Sequence, residues 1–185
     1  VIVHDLSQPI ENGMTFFPGD PLPQIVPGNQ VGEHWLVSEL HMGTHTGTHI
    51  DAAVHYFPDG KKIDQYPLER FVLPGVVVHV PDLTEDQSIG LDLLEIPAAA
   101  FPKGGAFIIR TDWDRYWNTK KYHCHPYLAA ETVEAILAVG AGLVAIDALN
   151  VDSTIQETCH AHDALLSKDV LIVENIAHLS QLQAM

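Results

Sequence analysis

His45-Thr46-Gly47-Thr48-His49-Ile50-Asp51-Ala52-Ala53-Val54-His55 gathers three imidazoles and a carboxylate into eleven residues. Imidazole and carboxylate together suit zinc, manganese or iron. The backbone course needed to use them can be worked out. In a strand the four side chains share a face, because their separations are even. Yet His45 and His49 would then stand about 13 Å apart at ~3.3 Å per residue, near the limit for two imidazoles on one ion. In a helix the two histidines would be neighbours while Asp51 pointed away. The stretch therefore predicts a bend near Gly47, which tolerates backbone angles that other residues resist, with an extended segment carrying His49 and Asp51.

Outward from this point the chain reads as α/β. Gly75 to Val80 and Ala106 to Arg110 are short apolar runs bounded by Gly or Pro, the pattern of buried strands. His34 to Met42 is apolar enough for another strand, and His41 within it reads as a buried structural side chain. Leu128 to Val139 has helical spacing and stops at Gly140, Leu143 to Ile146 is a strand, His160 to Lys168 a short helix and Val170 to Val173 a strand. Strand–helix–strand order predicts parallel pairing. Pro and Gly crowd the first part of the chain, which reads as an arm over about residues 1–30 on a single domain spanning 1–185.

A second cluster lies near the C-terminus, with His160, His162, Asp163 and Glu174. Glu174 follows an apolar run, and a carboxylate at the end of a buried strand is costly unless paired or bound to a cation. Ligands of open α/β sheets bind outside such strand ends. Asp147 ends the preceding strand in the same way. Both strand ends thus point to a site where the two clusters converge.

Composition narrows the function. A net charge of −15 repels a phosphate backbone and excludes nucleic acid as a partner. No run of about 20 apolar residues suggests a membrane span, and Val1 to Pro9 is too polar for a signal peptide. Cys124 and Cys159 lack metal spacing and read as free thiols, consistent with a cytoplasmic location.

The opening stretch resembles the H-x-G-T-H-x-D-x-P-x-H signature of the cyclase family of metal-dependent hydrolases, which includes bacterial kynurenine formamidases and isatin hydrolases. Phe17-Pro18-Gly19-Asp20, Arg110-Thr111-Asp112-Trp113, His125-Pro126-Tyr127-Leu128 and Ile146-Asp147 are similar to further family motifs, as is His162 followed twelve residues later by Glu174-Asn175. The resemblance implies a swivelling β/β/α fold with a mixed sheet. It implies His45, His49 and Asp51 as ligands of one divalent metal and Asp51, His162 and Glu174 as ligands of a second, zinc or manganese, with one or two ions per chain. It implies His55 as the catalytic acid/base, and Phe17 as a substrate-binding residue where kynurenine formamidases place a stacking Trp. Two departures stand out. Ala53 replaces the motif's proline, which predicts a looser loop, and Asn150 replaces a serine common after the Asp147 strand.

The reaction implied is attack on a formamide, cyclic amide or related carbonyl by a metal-activated water. The expected activity is that of an arylformamidase, converting N-formylkynurenine to kynurenine and formate. A single-metal, isatin hydrolase-like cyclic amidase is the alternative within enzymes. A non-catalytic metal-binding module is the alternative from another class, and it would need neither His55 nor an open coordination position. The partner expected is a small aromatic amide, and a homo-oligomer, dimer or tetramer, is expected from the family and from the Pro-rich arm.

Overall fold

The computed structural model describes residues 1–28, 30–31 and 34–182. Four short strands come first, β1 (Gln24–Val26), β2 (Gln30–Val31), β3 (Trp35–Leu36) and β4 (Glu39–His41). They pair antiparallel as β1 with β4 and β2 with β3. The central sheet consists of β5 (His49–Asp51), β6 (Gly75–His79), β8 (Ala106–Arg110), β10 (Leu143–Ile146) and β11 (Leu171–Glu174). A small parallel pair joins β7 (Ser88–Ile89) to β9 (Tyr127–Leu128). Two α-helices follow, α1 (Ala130–Ala138) and α2 (His160–Ser167).

The sheet order is β5-β11-β10-β8-β6. The four strands β6, β8, β10 and β11 run parallel, and β5 lies antiparallel on the edge beside β11. This is the mixed sheet of an α/β fold that the sequence implies. The inner strands are β-branched and apolar because both sheet faces are covered. Strand alternation sorts their side chains. Val144, Ile146, Phe107, Ile109 and Ile172 pack with Val133 and Ile136 of α1 and Leu165 and Leu166 of α2. Ala145, Ile108 and Val173 face the other way, toward Leu6, Ile176 and Leu179. Leu6, within the segment read as an arm, thus meets this face of the sheet, and Ala177 N–H donates to Leu6 O at 2.8 Å.

Helix α1 begins two residues later than its apolar pattern suggests, because Tyr127 and Leu128 are drawn into pairing with Ser88 and Ile89. It ends as expected at Gly140, whose φ of +80° suits a residue without Cβ. The apolar run from Trp35 differs more. It splits into β3 and β4, and Trp35, Leu36 and Val37 are 70%, 74% and 60% exposed. His41 is likewise exposed and pairs with Glu39 at 2.8 Å, so it is not the buried side chain its run suggests. Trp113, by contrast, lies in the core with its indole N–H donating to Tyr122 O at 3.2 Å.

One buried group gives the fold a pH dependence. His125 is 1% exposed, its Nδ1 lies 3.0 Å from Pro126 O and its Nε2 lies 2.7 Å from the Thr154 hydroxyl. Burial is the main influence and lowers its pKa from 6.5 to about 4. The folded state thus binds fewer protons here than the unfolded one between those values. Stability from this group is complete above about pH 6.5 and is lost as pH falls toward 4, about 3 kcal/mol in all. Unfolding free energies from urea titration at pH 7 and pH 4.5 are expected to differ by about 2 kcal/mol more in the native chain than in His125→Gln. Equal differences in the two proteins would show that His125 does not carry the dependence.

Candidate metal centre

The His45–His55 stretch bends where predicted. Gly47 sits at φ +68°, in the left-handed region, and β5 begins two residues later. Thr48 fixes the bend to the sheet, because its hydroxyl accepts from Gln8 N–H at 2.7 Å and donates to Asn175 O at 2.5 Å. Antiparallel pairing then sets His49 directly opposite Glu174, and Asp51 opposite Ile172. The sheet edge thereby brings the two histidine-carboxylate clusters together.

The six residues that the resemblance assigns as metal ligands or acid/base, His45, His49, Asp51, His55, His162 and Glu174, converge. His45 Nδ1 lies 2.6 Å from Asp51 Oδ1, and His49 Nε2 lies 3.2 Å from the same oxygen and 3.7 Å from Glu174 Oε2. His162 Nε2 lies 3.7 Å from Asp51 Oδ2 and 3.7 Å from Glu174 Oε1. The His55 ring stacks on His45 with centroids 3.7 Å apart and lies 5.6 Å from His162. Donor atoms of His49, Asp51 and Glu174 all fall within 4.8 Å of one another, and so do those of His45, Asp51 and His55.

Two histidines are oriented by groups that only accept. His49 Nδ1 donates to Gly47 O at 2.8 Å, and His162 Nδ1 donates to Asp152 Oδ2 at 2.9 Å. In both rings this turns Nε2 toward Asp51 and Glu174, as a ligand lone pair requires. Asp152 was not readable as a site residue. It is 1% exposed and also accepts from the backbone N–H of Ala161 and His162, each at 2.9 Å, so it caps the first turn of α2 while holding the imidazole. His160 sits behind it, 3.3 Å from Asp152 Oδ1 and 2.7 Å from Leu128 O, outside the ligand cluster.

The electrostatics fit a cation. Burial works against charge on His49, but the close Asp51 carboxylate and the charge of Glu174 outweigh it and raise the pKa to about 9. Burial likewise opposes charge on His162, yet Asp152, Asp51 and Glu174 raise it to about 10. Burial, then the Asp51 charge, push Glu174 up. Two buried carboxylates are thus drawing positive charge from the imidazoles around them. His49 Nε2 and Asp51 Oδ2 are buried without a hydrogen-bond partner, a costly state that a bound cation relieves. The donor set therefore fits a divalent metal ion.

A cavity of 220 Å³ opens onto this cluster. His45, His49, His55 and Glu174 line it on the ligand side, with Phe17, Asp20, Leu149 and Asn150 completing the wall. Phe17 also packs against the core, so it is both wall and filler. Ala53 does not loosen the loop beside it. Ala53 is 6% exposed and opens a short 3-10 turn, closed by His55 N–H to Ala52 O at 2.9 Å and Phe57 N–H to Ala53 O at 2.9 Å. Asp147 is absent from the site. It is buried, accepting from Thr111 N–H at 2.8 Å, the Thr111 hydroxyl at 2.5 Å and Asp112 N–H at 2.9 Å, and so it braces the turn after β8.

Comparison with known proteins gives the family and the fold. Kynurenine formamidase from Bacillus cytotoxicus is 29% identical over 175 residues, covering 93% of this chain and 80% of that protein. Kynurenine formamidase from Bordetella avium is 29% identical over 182 residues, covering 93% and 81%. Among solved structures, isatin hydrolase A from Ralstonia solanacearum superposes with a TM-score of 0.82 at 21% identity, over 97% of this chain and 81% of that one, which is a likeness of fold. The sequence profile of the family described as Putative cyclase matches residues 4–153, most of the chain, and the protein therefore belongs to the cyclase family.

Proposed function

We propose that this protein is an arylformamidase, hydrolysing N-formylkynurenine or a close aryl formamide to the aromatic amine and formate. The observation that carries the reading is the buried pair of unpartnered atoms, His49 Nε2 and Asp51 Oδ2, set beside His55 in a cavity walled by Phe17. The kynurenine formamidase relatives give the substrate class.

His45, His49 and Asp51 would hold one divalent ion, zinc or manganese, and Asp51, His162 and Glu174 a second where two are bound. Such an ion supplies a Lewis acid that polarises the amide carbonyl and makes water a competent nucleophile near neutral pH. The remaining work belongs to side chains of this chain. Burial lowers the pKa of His55, so at neutral pH it carries a ring lone pair. It takes a proton as water adds to the carbonyl and returns it to the departing aryl nitrogen. Phe17 stacks on the substrate ring and sets its distance from His55. Asp152, through His162 Nδ1, keeps that ring from turning.

Hydrolysis of N-formylkynurenine by metal-loaded and chelator-stripped protein tests this. Turnover by the loaded form alone, restored on adding back zinc or manganese, is the expected result. Absence of turnover with the ion demonstrably bound would overturn the formamidase reading, and isatin would then test for a cyclic amidase. The protein also acts, in this proposal, as a homo-oligomer, with Trp35, Leu36 and Val37 of the exposed hairpins supplying contact surface.

A further inference from the structure

The 3-10 turn Ala53–His55, from which His55 reaches the metal centre, is backed by one phenol. Tyr66 is 6% exposed and packs in a cluster with Ala52, Val54 and Leu171. Its hydroxyl has two partners. Ala53 N–H donates to Tyr66 Oη at 3.5 Å, and Tyr66 Oη donates to Asp169 Oδ1 at 2.8 Å, since a carboxylate only accepts. Asp169 is itself held. Lys61 pairs with its other carboxylate oxygen, and Arg70 Nη2 donates to its carbonyl at 2.7 Å and to Gly142 O at 2.9 Å. Asp169 stands between α2, which carries His162, and β11, which carries Glu174. The phenol therefore ties the His55 turn to the connection between those two elements.

Ala53 stands where the family signature has proline, and the hydrogen bond depends on that difference, because proline has no N–H. The backbone alone would take proline. Ala52 is extended, at φ −101° and ψ 163°, and Ala53 is the first residue of the turn, where proline is at home. The hydroxyl is what refuses it. A proline ring carbon would replace the amide hydrogen that Tyr66 Oη accepts, and a hydrogen bond leaves no room for a carbon. Positions 53 and 66 are thus matched, as alanine with a hydroxyl or as proline without one. From the other side, Val54 N–H donates to Lys61 O at 3.0 Å, and a Cβ on Gly60 would lie 2.6 Å from the Ala53 carbonyl carbon.

We propose that Tyr66 is a positioning residue for His55, its hydroxyl pinning Ala53 N–H and with it the turn that aims the imidazole. An anchored hydrogen bond does here what the stiffness of a proline ring would do. This rests on the acid/base role given to His55 above.

Tyr66→Phe keeps the ring and its packing and removes only the hydroxyl. Its kcat on the aryl formamide is expected to fall about threefold to tenfold, the scale of one hydrogen bond, with KM and zinc content unchanged. The NMR signal of the His55 ring Cε1–H, read in zinc-loaded protein without substrate, is expected to broaden or split in the same variant. The pair Ala53→Pro with Tyr66→Phe is expected to recover both the signal and the kcat, while Ala53→Pro alone recovers neither. An unchanged His55 signal in Tyr66→Phe, a loss of zinc that accounts for the fall in kcat, or a double variant no better than Tyr66→Phe overturns the proposal. Absence of formamide hydrolysis by the native chain, beside a His55 signal that depends on Tyr66, would sink the reaction and leave the positioning standing.

Discussion

His55→Ala is expected to lower kcat on the aryl formamide by about 10²- to 10⁴-fold, the range of general acid/base catalysis, and to keep its full metal content. His55 fits the role because burial holds it neutral and because it stacks on His45 at the edge of the carboxylate cluster. Its ring also falls within ligand distance of His45 and Asp51. The metal content therefore decides between proton transfer and coordination. Elemental analysis of the purified variant, beside its steady-state kinetics, makes the measurement. A variant that loses both activity and ion would make His55 a ligand and leave the proton without a carrier.

Asp152→Ala is expected to cost about 3 kcal/mol of stability and to weaken metal binding about 10- to 100-fold. Three donors, the Ala161 and His162 backbone N–H and His162 Nδ1, all depend on this one buried carboxylate. Removing it leaves those donors buried and unpaired, which is the expensive way to break such a network. It also frees His162 to rotate or exchange tautomers, so that Nε2 no longer waits for the ion. Urea denaturation in the presence of chelator gives the first quantity, and competition with a chromophoric chelator the second. Lower stability with unchanged metal affinity would reduce Asp152 to a helix cap. Asp152→Asn, which keeps an acceptor but not the charge, is expected to fall between the two.

Much of the site was legible because its densest part is local. His45, His49, Asp51 and His55 stand within one stretch, and the steric demand of bringing two imidazoles to one ion located the bend at Gly47. Glu174 was legible from its cost, as a carboxylate ending a buried strand, and His162 from its spacing to Glu174 in the family. The central strands announced themselves as β-branched runs. Asp152 was not legible, because nothing in the run Asn150-Val151-Asp152-Ser153 marks which helix turn it will meet. The same limit misplaced Asp147. A carboxylate at a strand end faces either the ligand or the next turn, and only the packing against Thr111 and Asp112 chooses. The hairpin run from Trp35 failed in the opposite way. Its apolar side chains fit a buried strand, but pattern says which residues seek burial and not whether this chain covers them.

The edge position of β5 has a consequence for how the molecule comes apart. An outermost strand of three residues is the part of a sheet that frays first. Here that strand carries His49 and Asp51, while the strand it leans on carries Glu174. An ion gripped by both would act as a clasp on the hem of the sheet, and the hem cannot lift without letting the ion go. During synthesis the same clasp stays open until β11 has emerged, because half of it is stitched into that strand. Loading with metal would therefore wait for β11, and losing the ion would be an early sign that the edge has begun to unravel.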